Sequence, residues 1–389
     1  MSFNYEKALN PTITEIKPSG IRKFFDILDE MKDVVSLTVG QPDFVTPWHI
    51  RDAGIRSLEE GLTYYTSNNG MLEFRREISE YQNRRFGLQY DPETEIIVTV
   101  GGSEAIDLAM RALVAPGDEV IIPEPCFVCY EPLARLAGGT PVTVRLLPEN
   151  GFKLTASQLR AAITGRTKLL VLPFPNNPTG ACLRESELRE LASVLAETNI
   201  CVLSDEIYAE LTYGSRHVSI AAIEGMRERT VVVNGFSKAY AMTGWRLGYT
   251  LAPEWITKQM AKVHQFGIMC APTTSQYAAI EALKNGDGDI EYMKGEYEGR
   301  RRLIVTELER IGIDTFMPEG AFYVFADIRK FGMTDEEFCE KLLYEKHCAI
   351  VPGSAFGESG KGFARLSYAY SPMHIRKAVL RIEEFINAL

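Results

Sequence analysis

The chain has 389 residues, 46% of them apolar and 24% charged, with a formal charge of −10. That length suggests two domains of unequal size, and the apolar content is enough to build their cores. The acidic balance argues against a nucleic-acid partner, although a local group of arginines can still hold a small anion. The N-terminal stretch MSFNYEKALNPTITEIKPSG lacks a basic start followed by an apolar run, so it does not read as a secretory signal. No segment approaches the roughly 20 apolar residues of a membrane helix. A soluble, cytoplasmic protein is expected. The seven cysteines are odd in number and scattered through apolar stretches, which reads as reduced thiols. Cys126 and Cys129 form a CxxC with no second pair and no nearby histidine, so they read as ordinary buried cysteines and no metal is expected.

From EIIVTV (95–100) onward, short β-branched runs alternate with helical patterns. A helix pattern covers Ser103 to about Leu113. DEVIIP, a helix near 130–137, and PVTVRL follow. Then come TKLLVLP, the amphipathic ESELRELASVLAETN, ICVLSDE, TVVVNGF and RLGYTLA. Runs buried on both faces and separated by helices predict an α/β fold with a mostly parallel central sheet. Ligands of such sheets bind beyond the carboxyl ends of the strands. From Pro253 the pattern turns helical, with a long charged helix over roughly Gly288–Ile311, then short strands in GAFYVFADI and GFARLSYAY. This predicts a smaller α+β domain. The expected division is a large domain over 46–288 and a small domain built from 1–45 and 289–389. The helical IRKFFDILDEM is expected to belong to the latter.

Several strand ends carry chemistry. In VGGSEA, two glycines precede Ser103 at a helix start, where amides can cradle a phosphate; the same residues also make a plain turn with a serine cap. In PNNPTG, asparagines on a rigid loop can donate to a ligand oxygen, or simply form a turn. In VLSDEIY, Asp205 at the end of an apolar strand needs a cation, from a ligand or from a salt bridge. In NGFSKAYAMTGWRLGY, Lys238 ends a buried strand, where desolvation would make it a nucleophile toward carbonyls. Arg246 follows eight residues later and suits a phosphate. In FARLSYAY, Arg365 lies inside an apolar pattern and requires an anionic partner, a ligand or an internal carboxylate.

Together these motifs resemble class I aminotransferases of the aspartate aminotransferase type, which are fold type I pyridoxal-phosphate enzymes. The likeness runs from SGIRKFFDILDEMKDV through LTVGQPDF, YYTSNNG, PNNPTG, SDEIY and SKAYAMTGWRLGY to ARLSY. It implies pyridoxal 5'-phosphate bound to Lys238 as a Schiff base, with Lys238 also moving the proton. Asp205 would pair with the ring nitrogen, and Asn177 and Tyr208 would donate to the phenolic oxygen. Gly102, Ser103, Ser237 and Arg246 would hold the phosphate, joined by Tyr65 from a neighbouring subunit. Phe127 would stack on the ring. Arg365 would clamp the substrate α-carboxylate, with Gly40 and Asn177 beside it.

The implied reaction is transfer of an amino group from an L-amino acid to a 2-oxo acid in a ping-pong cycle by a homodimer. Aspartate, alanine, aromatic amino acids and N-acetyl-diaminopimelate are the candidate substrates. A pyridoxal-phosphate C–S lyase of the same fold is the alternative. A transcription regulator built on this fold would need a DNA-binding domain, and neither a helix-turn-helix pattern nor a basic patch precedes the sheet region. Two further points stand open. Many members carry a hydroxyl residue three positions before the lysine, where this chain has Gly235. Arg22 is a candidate for a distal carboxylate, or else a surface residue of an amphipathic helix.

Overall fold

The computed structural model describes residues 8–18, 20, 31 and 33–389. Arg22 and most of IRKFFDILDEM lie outside the described residues. In chain order the strands are β1 (Val35–Ser36), β2 (Ile96–Thr99), β3 (Glu119–Glu124), β4 (Thr140–Arg145), β5 (Thr167–Leu172), β6 (Cys201–Asp205) and β7 (Thr230–Gly235). They continue with β8 (Gly248–Leu251), β9 (Asp314–Thr315), β10 (Tyr323–Asp327), β11 (Cys348–Ala349), β12 (Val351–Pro352) and β13 (Phe363–Ser367).

Seven strands form the central sheet in the order β2-β8-β7-β6-β5-β3-β4. Neighbours from β7 through β4 are parallel, and β8 runs antiparallel to both β7 and β2. The apolar runs predicted as strands are thus strands of one α/β sheet. Alternate residues enter different cores, as a pleated strand covered on both faces requires. Val231 and Val233 join the core under the helices Gly101–Leu113 and Glu254–Gly267, while Val232 faces the one shared with Phe74, Phe236 and Tyr249. Leu170 and Leu172 pack with the helices Ala156–Ala162 and Glu185–Ala196, whereas Leu169 and Val171 face the opposite side.

A second, antiparallel sheet has the order β12-β13-β10-β9, and β1 pairs in parallel with β11. Its core combines Val324, Ala326, Ala364 and Leu366 with residues of the helices Asp287–Arg310, Asp335–Lys346 and Pro372–Ile386. The last two of these helices begin where side chains satisfy free amides. Thr334 and Glu337 form a reciprocal capping box, and Ser371 caps the last helix ahead of Pro372. Among the described residues no helix is long and apolar enough to cross a membrane, and the seven cysteines are free.

Candidate active site

The carboxyl ends of β2, β3, β5, β6 and β7 open onto one cavity of about 350 Å³. The segment Thr38–Gln41 after β1 and two side chains of the second sheet, Tyr323 and Arg365, also line it. Parallel strands deliver their ends to the same edge, so residues far apart in sequence meet there.

The anion-binding side begins after β2. Gly101 takes φ +77°, and a Cβ on it would lie 2.5 Å from Arg246 Nη2. Only glycine lets this guanidinium lie against the turn. The helix Gly101–Leu113 starts at that point, with Gly102 and Ser103 lining the cavity. Glu104 anchors its first turn by accepting the Val100 N–H and pairing with buried His264 Nδ1 at 2.7 Å. His264 Nε2 meets the Asn68 carbonyl at 2.8 Å, which ties the YYTSNNG loop to the same helix end. Ser237 and Arg246 complete this side. Free amides at a helix start, a hydroxyl and a guanidinium make a site for a phosphate.

Lys238 follows β7. Its Nζ donates to the Gly40 carbonyl at 2.6 Å. Burial, and then the nearby charges of Arg365 and Arg246, bring its ammonium down to about 8. Asp205, the last residue of β6, is buried and accepts from the Tyr130 hydroxyl at 2.7 Å and the Ile207 N–H at 3.2 Å. Burial raises its carboxyl above the usual value even so. A buried carboxylate facing a cavity calls for a cationic ligand group, such as a protonated ring nitrogen.

Across the cavity, Arg365 on β13 is 3% exposed. Its Nη1 donates to Asn177 Oδ1 at 3.0 Å and its Nη2 to the Thr38 carbonyl, while Nε has no protein partner. Because the Asn177 oxygen is engaged, its amide N–H donors remain for a ligand oxygen. Tyr208 lies 2.7 Å, hydroxyl to hydroxyl, from Tyr323. Phe127 lines the wall after β3, with its ring at 82° to that of Tyr130.

The cavity therefore gathers Gly40, Gly102, Ser103, Phe127, Asn177, Asp205, Tyr208, Ser237, Lys238, Arg246 and Arg365. Tyr65 is the sequence-predicted residue that stays outside. It is 82% exposed and lies along a separate groove with Val100 and 270–273. At Gly235, a Cβ would sit 3.0 Å from Gly248 Cα and from the Leu247 carbonyl oxygen. A side chain at this position would press on the tight pairing of β7 with β8. Sequence reasoning passed over Tyr130, Tyr323 and the Thr38 carbonyl. The available signal is that a tyrosine in an apolar run must find a partner for its hydroxyl, but the run does not say which.

The set fits pyridoxal phosphate: a phosphate cradle that a side chain at Gly101 would fill, a buried carboxylate without a direct ion pair among the described residues, a lysine of depressed basicity, and a guanidinium with an unpaired buried N–H.

Comparison with known proteins agrees with this geometry. The family model described as aminotransferase class I and II matches residues 32–382. The putative aminotransferase YugH of Bacillus subtilis (strain 168) is 52% identical over 97% of this chain and 98% of its own length. The probable N-acetyl-LL-diaminopimelate aminotransferase of the same organism is 46% identical, covering 98% of this chain and 96% of that protein. The crystal structure of an aromatic aminotransferase from Pyrococcus horikoshii OT3 superposes with a TM-score of 0.90 at 43% identity, over 94% of this chain and 99% of that one.

Proposed function

This chain belongs to the aminotransferase class I and II family, and on that premise we propose that it moves an amino group from an L-amino acid to a 2-oxo acid with pyridoxal 5'-phosphate held at Lys238. The Lys238 amine carries this reading. It is brought down to about 8 within the same cavity as Asp205, Arg246 and Arg365. A lysine so placed is partly neutral near pH 8 and so can bond a carbonyl carbon or take a proton.

Pyridoxal phosphate, when bound, supplies an aldehyde for the amino group and a protonated ring that accepts the electron pair left when the α-proton departs. Asp205 keeps the ring nitrogen protonated and is itself held by Tyr130. Gly102, Ser103, Ser237 and Arg246 would hold the phosphate. Phe127 would lie against the ring, and Asn177 and Tyr208 would donate to the phenolic oxygen. Arg365, with Gly40 and Asn177 beside it, orients the substrate α-carboxylate so that the Cα–H bond faces Lys238. Lys238, displaced as a neutral amine, would take the proton from the substrate α-carbon and deliver it to the former aldehyde carbon of the cofactor.

We assign the enzyme as a cytoplasmic homodimer in which Tyr65 of the partner subunit completes the phosphate site. The exposure of Tyr65 on the single chain supports that assignment. The large domain is taken as 46–288 and the small domain as 1–45 with 289–389. Aspartate, alanine, aromatic amino acids and N-acetyl-diaminopimelate are the substrates to try first, all but alanine supported by the names of similar proteins.

Lys238→Ala is the test. The purified variant should lose both the visible, borohydride-reducible absorbance and transamination. Survival of that chromophore would sink the assignment. A panel of amino donors against 2-oxoglutarate and pyruvate then separates the substrates.

A further inference from the structure

Tyr323 is a buried phenol that none of the roles above uses. It sits at the start of β10, is 1% exposed, and lines the cavity. Three functional groups converge on it. Its hydroxyl is 2.7 Å from that of Tyr208. The Arg365 guanidinium carbon lies 4.5 Å from its ring centroid. A Cβ on Gly40 would fall 2.3 Å from its oxygen, so the backbone that accepts the Lys238 ammonium rests directly against it.

A phenol has one proton to donate and lone pairs to accept with. The Tyr208–Tyr323 pair can therefore be arranged in two directions. If Tyr208 donates to Tyr323, it presents only lone pairs to the phenolic oxygen of the cofactor, and an acceptor faces an acceptor. If Tyr323 donates to Tyr208, the Tyr208 proton is free for the cofactor oxygen and every atom has a complementary partner. Burial raises the Tyr323 hydroxyl above its usual range, so it retains its proton throughout the working pH range.

We propose that Tyr323 is a positioning residue of the transamination reaction: its hydroxyl donates to Tyr208 and thereby points the Tyr208 proton at the cofactor oxygen, while its ring supports the Arg365 guanidinium. The inference rests on the reading that Tyr208 meets the phenolic oxygen. Hydrogen bonds in series polarise one another, so the donation from Tyr323 strengthens the bond that Tyr208 makes to an anionic oxygen. Beneath Arg365 the same side chain offers a π face to a cation. One residue thus links the group that tunes the cofactor to the group that holds the substrate.

The experiment is a spectrophotometric pH titration of the visible band of the holoenzyme without substrate. In Tyr323→Phe the ring remains and the hydroxyl is gone. The midpoint should rise by roughly half a pH unit, the upper part of what a 10–30% gain on a charged hydrogen bond supplies. It rises because the deprotonated chromophore loses part of the hydrogen bond that favours it. Introduced into Tyr208→Phe, the same substitution should add no further shift. KM for amino acids should stay within about twofold in Tyr323→Phe and rise in Tyr323→Leu, where Arg365 loses its ring. A Tyr323→Phe titration that overlays wild type, or an equal shift in the Tyr208→Phe background, would overturn the hydroxyl role. An unchanged KM in Tyr323→Leu would overturn the role of the ring. Wild-type protein with no visible band would instead remove the cofactor reading itself, and that result precedes any substitution.

Discussion

Replacing Arg365 with lysine keeps a positive charge and removes a planar fork. Arg365 spends one N–H on Asn177 and one on the Thr38 carbonyl, leaving three of its five donors, the buried Nε among them. Its guanidinium is also held between the rings of Tyr323 at 4.5 Å and Phe356 at 4.7 Å. An ammonium on a flexible stem neither spans these partners nor lies flat between two rings. Truncating a buried, hydrogen-bonded charge pair typically costs about 2–5 kcal/mol. Because the charge is retained, the lower part of that range applies. About 2–3 kcal/mol corresponds to a loss of roughly 30- to 150-fold in kcat/KM. The loss should be the same for every α-amino acid whatever its side chain, since the clamp holds the carboxylate common to all. The assay is a single-turnover half-reaction comparing several L-amino acids with their decarboxylated amines, which never engage the clamp. Equal losses for amino acids and amines would refute the reasoning and move Arg365 to a role in the fold or the cofactor site. Loss confined to dicarboxylic substrates would move it to the side-chain pocket.

Three further outcomes are expected. In cofactor-free protein Lys238 should be half neutral near pH 8, where an ordinary lysine is about 0.4% neutral. Reductive methylation read by mass spectrometry should therefore show Lys238 labelling rise with pH through a midpoint near 8. Arg365→Gln, by removing a cation that depresses it, should move that midpoint upward; a Lys238 midpoint near 10 in the unaltered protein would contradict the site electrostatics. Gly235→Ser should lower Tm by a few degrees, because the new Cβ presses on the backbone of Leu247 and Gly248 at a cost of about 1–3 kcal/mol. An unchanged Tm together with tighter cofactor binding would show that the hydroxyl had been omitted for another reason. A mixed dimer of Tyr65→Phe and Lys238→Ala chains should hold one intact site and one doubly damaged site, so its activity should fit one working site. Two equally impaired sites, or a monomer in sedimentation, would remove Tyr65 from the shared site.

The positions of Asp205, Lys238 and the Gly102–Ser103 turn were legible in the sequence for a simple reason. Each follows a short apolar run, and runs alternating with helices pack as parallel strands whose carboxyl ends share one edge. Linear order alone was enough to place them together. Arg365 was legible as a guanidinium inside an apolar pattern, which cannot be left without a partner. The direction of β8 was not legible, because a strand buried on both faces carries no side-chain mark of which way it runs. Neither was the crowding around Gly235, which depends on the register that sets it opposite Gly248. Nothing in the runs that hold Tyr130 and Tyr323 names a partner for their hydroxyls, and only tertiary packing brought these to Asp205 and Tyr208. The lowered basicity of Lys238 was legible in direction, from desolvation at the end of a buried strand, but its electrostatic cause was not. It arises from burial and from Arg365 on another sheet, and electrostatic coupling depends on distance through space, which position along the chain does not encode.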